Sequence, residues 1–228
     1  MKHFDVAIIG SGPSGASTAF YLGKQGISTV IIEKETLPRY KTCGGGFVNR
    51  GKKDMPFDIS EVIEREFFTV DTYFNNNDEI CYKSSKEIPI VTMIMRDAFD
   101  NLIVKKAKEF GVTLLENHKL LSINSVDDKT ILQTSQGEIS TKFVIAADGV
   151  LSPTAKMAGW KEDTRKLIPA LEYEVEVSKE DFERLSKKVR FDIDAVPFGY
   201  GWSFPKKNHL SLGVLTTKKR KINLKEYY

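Results

Sequence analysis

Three glycines, a carboxylate, a thiol and a row of aromatic rings carry most of the chemistry available to this 228-residue chain. Gly10, Gly12 and Gly15 stand at GxGxxG spacing in DVAIIGSGPSG (5–15), between an apolar run at Val6–Ile9 and an apolar-periodic stretch from Ala16. In that setting each glycine has a task. Gly10 permits the tight turn out of a strand, Gly12 lets a pyrophosphate reach the backbone, and Gly15 lets the following helix pack close to the strand. The helix start, with Pro13 and Ser14, offers N–H groups and a positive dipole end to phosphates. A second strand, Ser28–Ile32, runs into Glu33, 18 residues after Gly15. An acid there accepts hydrogen bonds from both hydroxyls of an adenosine ribose and repels a 2′-phosphate, which disfavours NADP at this site.

The elements that must position these residues are legible in part. After Glu33, Thr36–Phe47 holds Pro38 and three consecutive glycines, Gly44 to Gly46, and is expected to be irregular. Asp58–Phe67 reads as a short helix. Phe68–Phe74, Glu79–Lys83 and Pro89–Met95 read as strands, the first two around the turn Asn75-Asn76-Asn77-Asp78. They break the αβ alternation and are assigned to a second, sheet-based layer. Arg96 opens a helix whose apolar residues, Phe99, Leu102, Ile103, Ala107 and Phe110, recur at helical spacing up to a terminating Gly111. Val112–Leu115 is a strand. A small meander follows over Leu120–Ser125, Thr130–Thr134 and Glu138–Thr141. Phe143–Ala147 reads as a separate, fully buried strand ending at Asp148-Gly149, after which Ser152 and Pro153 start a helix. Beyond about Lys161 the pattern is all strand: Leu167–Val177, Val189–Ala195, Tyr200–Phe204 and His209–Leu215. Within the first of these, Leu171, Tyr173, Val175 and Val177 are expected to face inward and Glu172, Glu174 and Glu176 outward.

Composition bounds the remainder. The formal net charge is +3, too small to imply a nucleic-acid partner. Five bases against one acid from Lys218 to Tyr228 give that tail +4 and leave −1 for the rest. Such a tail reads either as a solvated end or as attracted to an anionic lipid surface. Cys43 and Cys81 form no CxxC motif and imply a reducing compartment. His3, His118 and His209 lack metal-ligand spacing. No stretch has the length and apolarity of a membrane span, so the expected location is cytoplasmic or peripheral to a membrane.

Four segments in order, GSGPSG (10–15), PRYKTCGGG (38–46), ADG (147–149) and GYGWSFPK (199–206), resemble the geranylgeranyl reductase family of flavoproteins, within the p-hydroxybenzoate hydroxylase-like class of FAD enzymes. The first and third are widespread among FAD enzymes; the Cys-Gly-Gly-Gly loop and the Y-x-W-x-F-P strand are more specific. The resemblance implies an α/β fold: a Rossmann-like FAD-binding domain (1–67 and 96–160) with an inserted antiparallel β-sheet substrate domain (68–95 and 161–228). It implies that Gly10, Gly12, Pro13, Ser14 and Gly15 hold the FAD pyrophosphate, and that Glu33 and Lys34 serve the adenosine ribose end. Arg39, Cys43, Gly44 and Gly45 line the flavin side, Arg96 reaches the ribityl–pyrophosphate region, Leu120 packs near the adenine, and Asp148 and Gly149 meet the ribityl chain or an approaching nicotinamide. Tyr200, Trp202 and Phe204 form an apolar wall beside a hydrophobic isoprenoid substrate. Reducing an isolated prenyl C=C needs a hydride, a proton and a dry apolar pocket. Cys43, Tyr200 and Trp202 are the implied catalytic residues, with NAD(P)H or ferredoxin as electron donor.

Plainer readings stand beside these. Cys43 also reads as a small packing residue, Trp202 and Phe204 as core, Arg96 as a helix-start residue, and Asp148-Gly149 as a strand-ending turn. Trp160, Cys81 and the histidines are assigned structural roles. The run Y-x-W-x-F-P departs from the W-x-W-x-I-P of flavin halogenases, which sets aromatic hydroxylation or halogenation as the competing reaction. The chain contains no Gly-Asp dipeptide. The resemblance places such a segment, contacting the flavin ribose, after the substrate sheet. The expectation is therefore a C-terminally incomplete chain, inactive alone or completed by another chain.

Overall fold

The computed structural model of the chain describes residues 1–75, 77, 79, 82–160, 166–218 and 222–227. Cys81, Lys161, Lys219, Arg220, Lys221 and Tyr228 lie outside the described residues, as do parts of the expected turn at 75–78 and strand at 79–83. In chain order the elements begin β1 (Lys2–Ile9), α1 (Pro13–Lys24), β2 (Thr29–Ile32), β3 (Gly46–Val48), α2 (Asn49–Lys53), β4 (Ile63–Phe67), β5 (Thr69–Phe74), β6 (Tyr82–Ser85) and β7 (Val91–Ile94). They continue α3 (Arg96–Lys108), β8 (Thr113–Leu115), β9 (Leu120–Val126), β10 (Lys129–Thr134), β11 (Gly137–Ala146), α4 (Pro153–Met157), β12 (Ala170–Val175), α5 (Lys179–Leu185), β13 (Val189–Ile193), β14 (Gly199–Pro205) and β15 (Leu210–Thr216). These fall into two compact units, Met1–Tyr40 with Asp97–Thr164, and Lys41–Arg96 with Arg165–Tyr228. The boundary after Tyr40 differs from the one expected after residue 67. The cause is pairing: β3 and β4 both hydrogen-bond to β7, which draws 41–67 into the second unit.

The first unit is built on a six-stranded sheet in the order β8-β2-β1-β11-β10-β9. Its first four strands are parallel, and β10 and β9 continue it antiparallel. The meander is thus an extension of the Rossmann-like sheet. The strands expected at 138–141 and 143–147 are one ten-residue strand, β11, because Thr141 and Phe143 both stay in register with β1. Nor is its end fully buried: Phe143 is 67% exposed. The core on one face joins Ala7, Ile9, Val30, Ile32, Leu120, Leu132 and Ile139. Burial of such branched side chains stabilises the unit by about 1.5–3 kcal/mol each. α3 buries Phe99, Leu102, Ile103, Val104 and Ala107 as its periodicity demands. Phe110, expected inward, stays half-exposed and meets Phe20 edge to face at 5.2 Å.

The second unit holds a six-stranded sheet in the order β12-β15-β14-β13-β5-β6 and a three-stranded sheet, β3-β7-β4. The large sheet is antiparallel except where β13 runs parallel to β5, so it is mixed where a purely antiparallel sheet was expected. Phe67, Val91 and Met93 of the small sheet pack with Val189 and Phe204 of the large one. Residues 63–67, expected in a helix, form β4, because pairing with β7 satisfies their backbone and buries Phe67. Gly46 and Phe47, expected to be irregular, form part of β3 for the same reason. α5 was not foreseen; Ser178 caps it by accepting the Asp181 N–H. The alternation of β12 is inverted near its start: Glu172 is 8% exposed and Tyr173 44%. Glu172 accepts a hydrogen bond from the buried Ser211 hydroxyl at 2.9 Å, which places the acid on the covered face.

Candidate functional site

In the first unit, β1 delivers the chain to Gly10, whose φ is +101°. A Cβ there would sit 2.6 Å from the Ala147 carbonyl oxygen at the end of β11. At Gly15 a Cβ would overlap the Gly10 carbonyl, so both glycines are demanded by the approach of α1 to the strand ends. Gly12 is the N-cap of α1, in extended conformation, with no side-chain cap hydrogen bond and Pro13 in the first turn. Ser14 is exposed, and its carbonyl accepts from Thr18 Oγ1. Among the described residues no side chain caps the helix start and no acid lies in its first turn, which suits an anion.

Glu33 is 3% exposed and anchors this turn. One carboxylate oxygen accepts from the Ser11 N–H (3.0 Å) and the Ser11 hydroxyl; the other accepts from the Glu35 N–H (3.1 Å). Arg39 Nε lies 3.5 Å from Glu33 and its Nη1 3.3 Å from Asp100, whose side chain is 0% exposed. Burial opposes ionisation of Glu33, but the Ser11 and Glu35 hydrogen bonds and the Arg39 charge outweigh it and hold its carboxyl below the usual range. Arg39, assigned by the resemblance to the flavin side, is thus engaged by two carboxylates. Lys34 pairs with its neighbour Glu35, in solvent.

Asp148 closes the far end of the same turn region. One of its oxygens accepts from Ser152 Oγ (2.6 Å), the other from the Thr154 N–H (2.9 Å) and hydroxyl (2.6 Å). Burial again acts against ionisation, and these bonds overcome it, holding the carboxyl below its usual range. The side chain is therefore a clamp on the start of α4, where Ser152 caps as the sequence foretells. Gly149 is exposed at φ +93°. Leu120 belongs to the sheet core, and Arg96 is the first residue of α3.

In the second unit the glycine loop lies against the aromatic strand. A Cβ on Gly44 would sit 2.8 Å from Trp202 Nε1 and 3.2 Å from Phe204, and one on Gly213 would overlap the Trp202 ring. Tyr200, Trp202 and Phe204 share one face of β14 as a contiguous row, with ring centroids 6.1 and 6.0 Å apart. Phe204 is buried in the unit's core, while Tyr200 and Trp202 are half-buried. The Trp202 indole Nε1 is buried and has no hydrogen-bond partner among the described residues. Cys43 is exposed, with its Sγ 3.5 Å from the Gly45 N–H.

Sequence reasoning passed over Ser11, Asp100 and Lys206. Asp100 left a signal: a carboxylate inside the apolar stripe of α3 must have a buried partner. Lys206 left none, since a lysine after a strand reads as solvated.

Parallel strands, a glycine turn and an uncapped helix start define a Rossmann-like dinucleotide-binding domain, joined in one chain to a β-sheet unit with an aromatic face. The chain belongs to the family described as the FAD binding domain, which matches residues 3–52 and 58–206. An uncharacterized protein of Methanosarcina barkeri is 31% identical over 228 residues, spanning 100% of this chain and 57% of its own length. The chloroplastic geranylgeranyl diphosphate reductase of Nicotiana tabacum is 27% identical over 99% of this chain and 51% of its own. A solved structure, the geranylgeranyl bacteriochlorophyll reductase-like protein of Thermoplasma acidophilum, has the same fold, with a TM-score of 0.81 at 24% identity over 100% of this chain and 60% of that one. This chain spans little more than half the length of the relatives it matches. Among the described residues, no helix is long and apolar enough to cross a membrane.

Proposed function

We propose that the chain is the cofactor- and substrate-contacting part of an FAD-dependent oxidoreductase that saturates C=C bonds of an isoprenoid chain. In this reading Gly10, Gly12, Gly15 and the start of α1 bind the FAD diphosphate, and Glu33, held by Ser11, Glu35 and Arg39, shapes the turn at the adenosine ribose end. Reduced flavin, when bound, supplies the hydride. The work of the chain is to hold the alkene, exclude water and deliver a proton, with exposed Cys43 the candidate donor.

The observation that carries this reading is the aromatic row of β14, stacked on glycine backbone with an indole N–H that lacks an acceptor. An apolar wall suits a substrate without polar handles, and the free N–H suits one acceptor atom on a bound ring system. The names borne by the tobacco and Thermoplasma proteins support the same substrate class. The test begins with the visible spectrum of the purified chain after gel filtration and added FAD. Flavin bands that co-elute with protein, followed by anaerobic reduction of a geranylgeranyl lipid, are the expected results. A colourless protein that takes up no FAD removes catalysis by this chain alone. Uptake of O₂ coupled to modification of an aromatic compound would replace the reductase with a hydroxylase or halogenase.

A further inference from the structure

Lys206 is the largest wholly buried side chain among the described residues, at 0% exposure, and it lies inside the second unit directly after the aromatic strand. Its Nζ donates to the carbonyl oxygens of Gly44 (2.7 Å) and Ile94 (2.9 Å). Burial pushes its pKa below the ordinary lysine value, against the pull of Glu174, the Cys43 sulfur, Glu172 and Glu64. Holding an ammonium in such a place is costly, and a methionine of similar length would fill the same volume without that cost.

The glycine loop supplies a reason. A peptide plane flanked by two glycines turns over at little energetic cost, since neither side carries a Cβ to resist it. In the 44–45 peptide the carbonyl faces the Lys206 ammonium and the amide N–H lies 3.5 Å from Cys43 Sγ. Turned over, the same plane would point its N–H at a buried cation and take its oxygen away from it. The neighbouring bonds agree: Gly45 sits at φ +62°, its carbonyl accepts from the Ile94 N–H at 2.9 Å, and a Cβ at Gly45 would overlap both the Ile94 oxygen and Lys206 Nζ.

We propose that Lys206 is a positioning residue: its buried charge selects the one orientation of the 44–45 peptide that turns the Gly45 N–H toward Cys43 and lays Gly44 against Trp202. The loop then presents a single face, and Cys43 a single setting, to whatever binds there. That the bound group is a flavin rests on the function proposed above; the orientation of the peptide does not.

The experiment uses the full 228-residue chain with Cys81→Ser, so that Cys43 is the one thiol, and follows its alkylation by iodoacetamide without added FAD. Lys206→Met is expected to change the rate constant by about tenfold and Lys206→Gln, which keeps a neutral donor, by roughly threefold, since a hydrogen bond from a charged donor is the stronger. Val189→Ala, a cavity in the same unit's core, is the control for general loosening and is expected to leave the rate unchanged. A wild-type rate in either folded Lys206 variant, or an equal change in Val189→Ala, overturns the proposal. If Lys206→Met does not fold, Lys206→Gln decides by the same criterion. The rate effect without FAD uptake keeps the positioning role and removes the flavin reading; FAD uptake without the rate effect does the reverse.

Discussion

At the scale of single residues, the carboxylates around the glycine turn are spent on the protein: both Glu33 oxygens accept from the chain, one from Ser11 and the other from the Glu35 N–H. Asp148 likewise has both oxygens committed, to Ser152 and Thr154. Its depressed pKa gives the sign of its pH dependence. The stabilisation is fully present above the pKa of the unfolded carboxyl and is lost as pH falls through the lower folded value. Asp148→Asn is expected to cost about 1.5–3 kcal/mol at neutral pH, the range for hydrogen bonds to a charged acceptor. The gap between variant and wild type should close in acid, once the wild-type carboxyl is itself protonated. Urea unfolding at neutral pH and at about pH 2–3 measures this, and a gap independent of pH would count against the clamp. Glu33 is depressed in the same direction, so it adds to the acid sensitivity of the first unit in both proteins.

At the scale of elements, β12 offers the sharpest contrast. Glu172 and Glu176 were expected on the same outward face, yet Glu172 is buried beside Ser211 and Glu176 is exposed. Glu172→Ala should lose roughly 1–3 kcal/mol by leaving the Ser211 hydroxyl without its acceptor, whereas Glu176→Ala should stay within about 0.5 kcal/mol. Equal thermal shifts in the two variants would show that the inversion has no energetic weight. The same strand shows where sequence reading stops. The sequence revealed β1, α1 and β2 because there the local pattern and the packing agree: a β-branched run, glycines where backbones cross, then an apolar helix stripe. It revealed α4 through Ser152 and Pro153. It misjudged β4 and β12, where a partner strand decides. Ile63 to Phe67 is a strand because β7 lies beside it, and Glu172 sits inside where Ser211 donates to it and Lys206 attracts its charge. The glycine loop and the aromatic strand were both legible as motifs. The lysine that ties the loop down was not, because its burial is a property of the fold and leaves no pattern in the neighbouring residues.

At the scale of the whole molecule, each unit is assembled from two stretches far apart in the chain. β1, in the middle of its sheet, takes β11 as its partner in a register from Lys2↔Ile139 to Ile9↔Ala146. β5 likewise takes β13 in a register from Val70↔Val189 to Phe74↔Ile193. A chain ending at residue 136 keeps α1, β2, β9 and β10 but lacks the strand that joins β1 to β10. It is expected to show no cooperative unfolding transition by circular dichroism, and a sharp transition in that fragment would contradict the central place given to β11.

The pairing of β1 with β11 also sets a clock on the ribosome. β1 leaves the exit tunnel with β2, its neighbour on one side, close behind, but β11, its neighbour on the other side, is more than a hundred residues behind. At roughly 5–20 residues per second, the wait is on the order of ten seconds. Through that interval the β11-facing edge of β1 stays unpaired, the kind of surface that nascent-chain chaperones bind. The dependence of this protein's yield on such chaperones should therefore be greatest while residues 10 to 136 are being made.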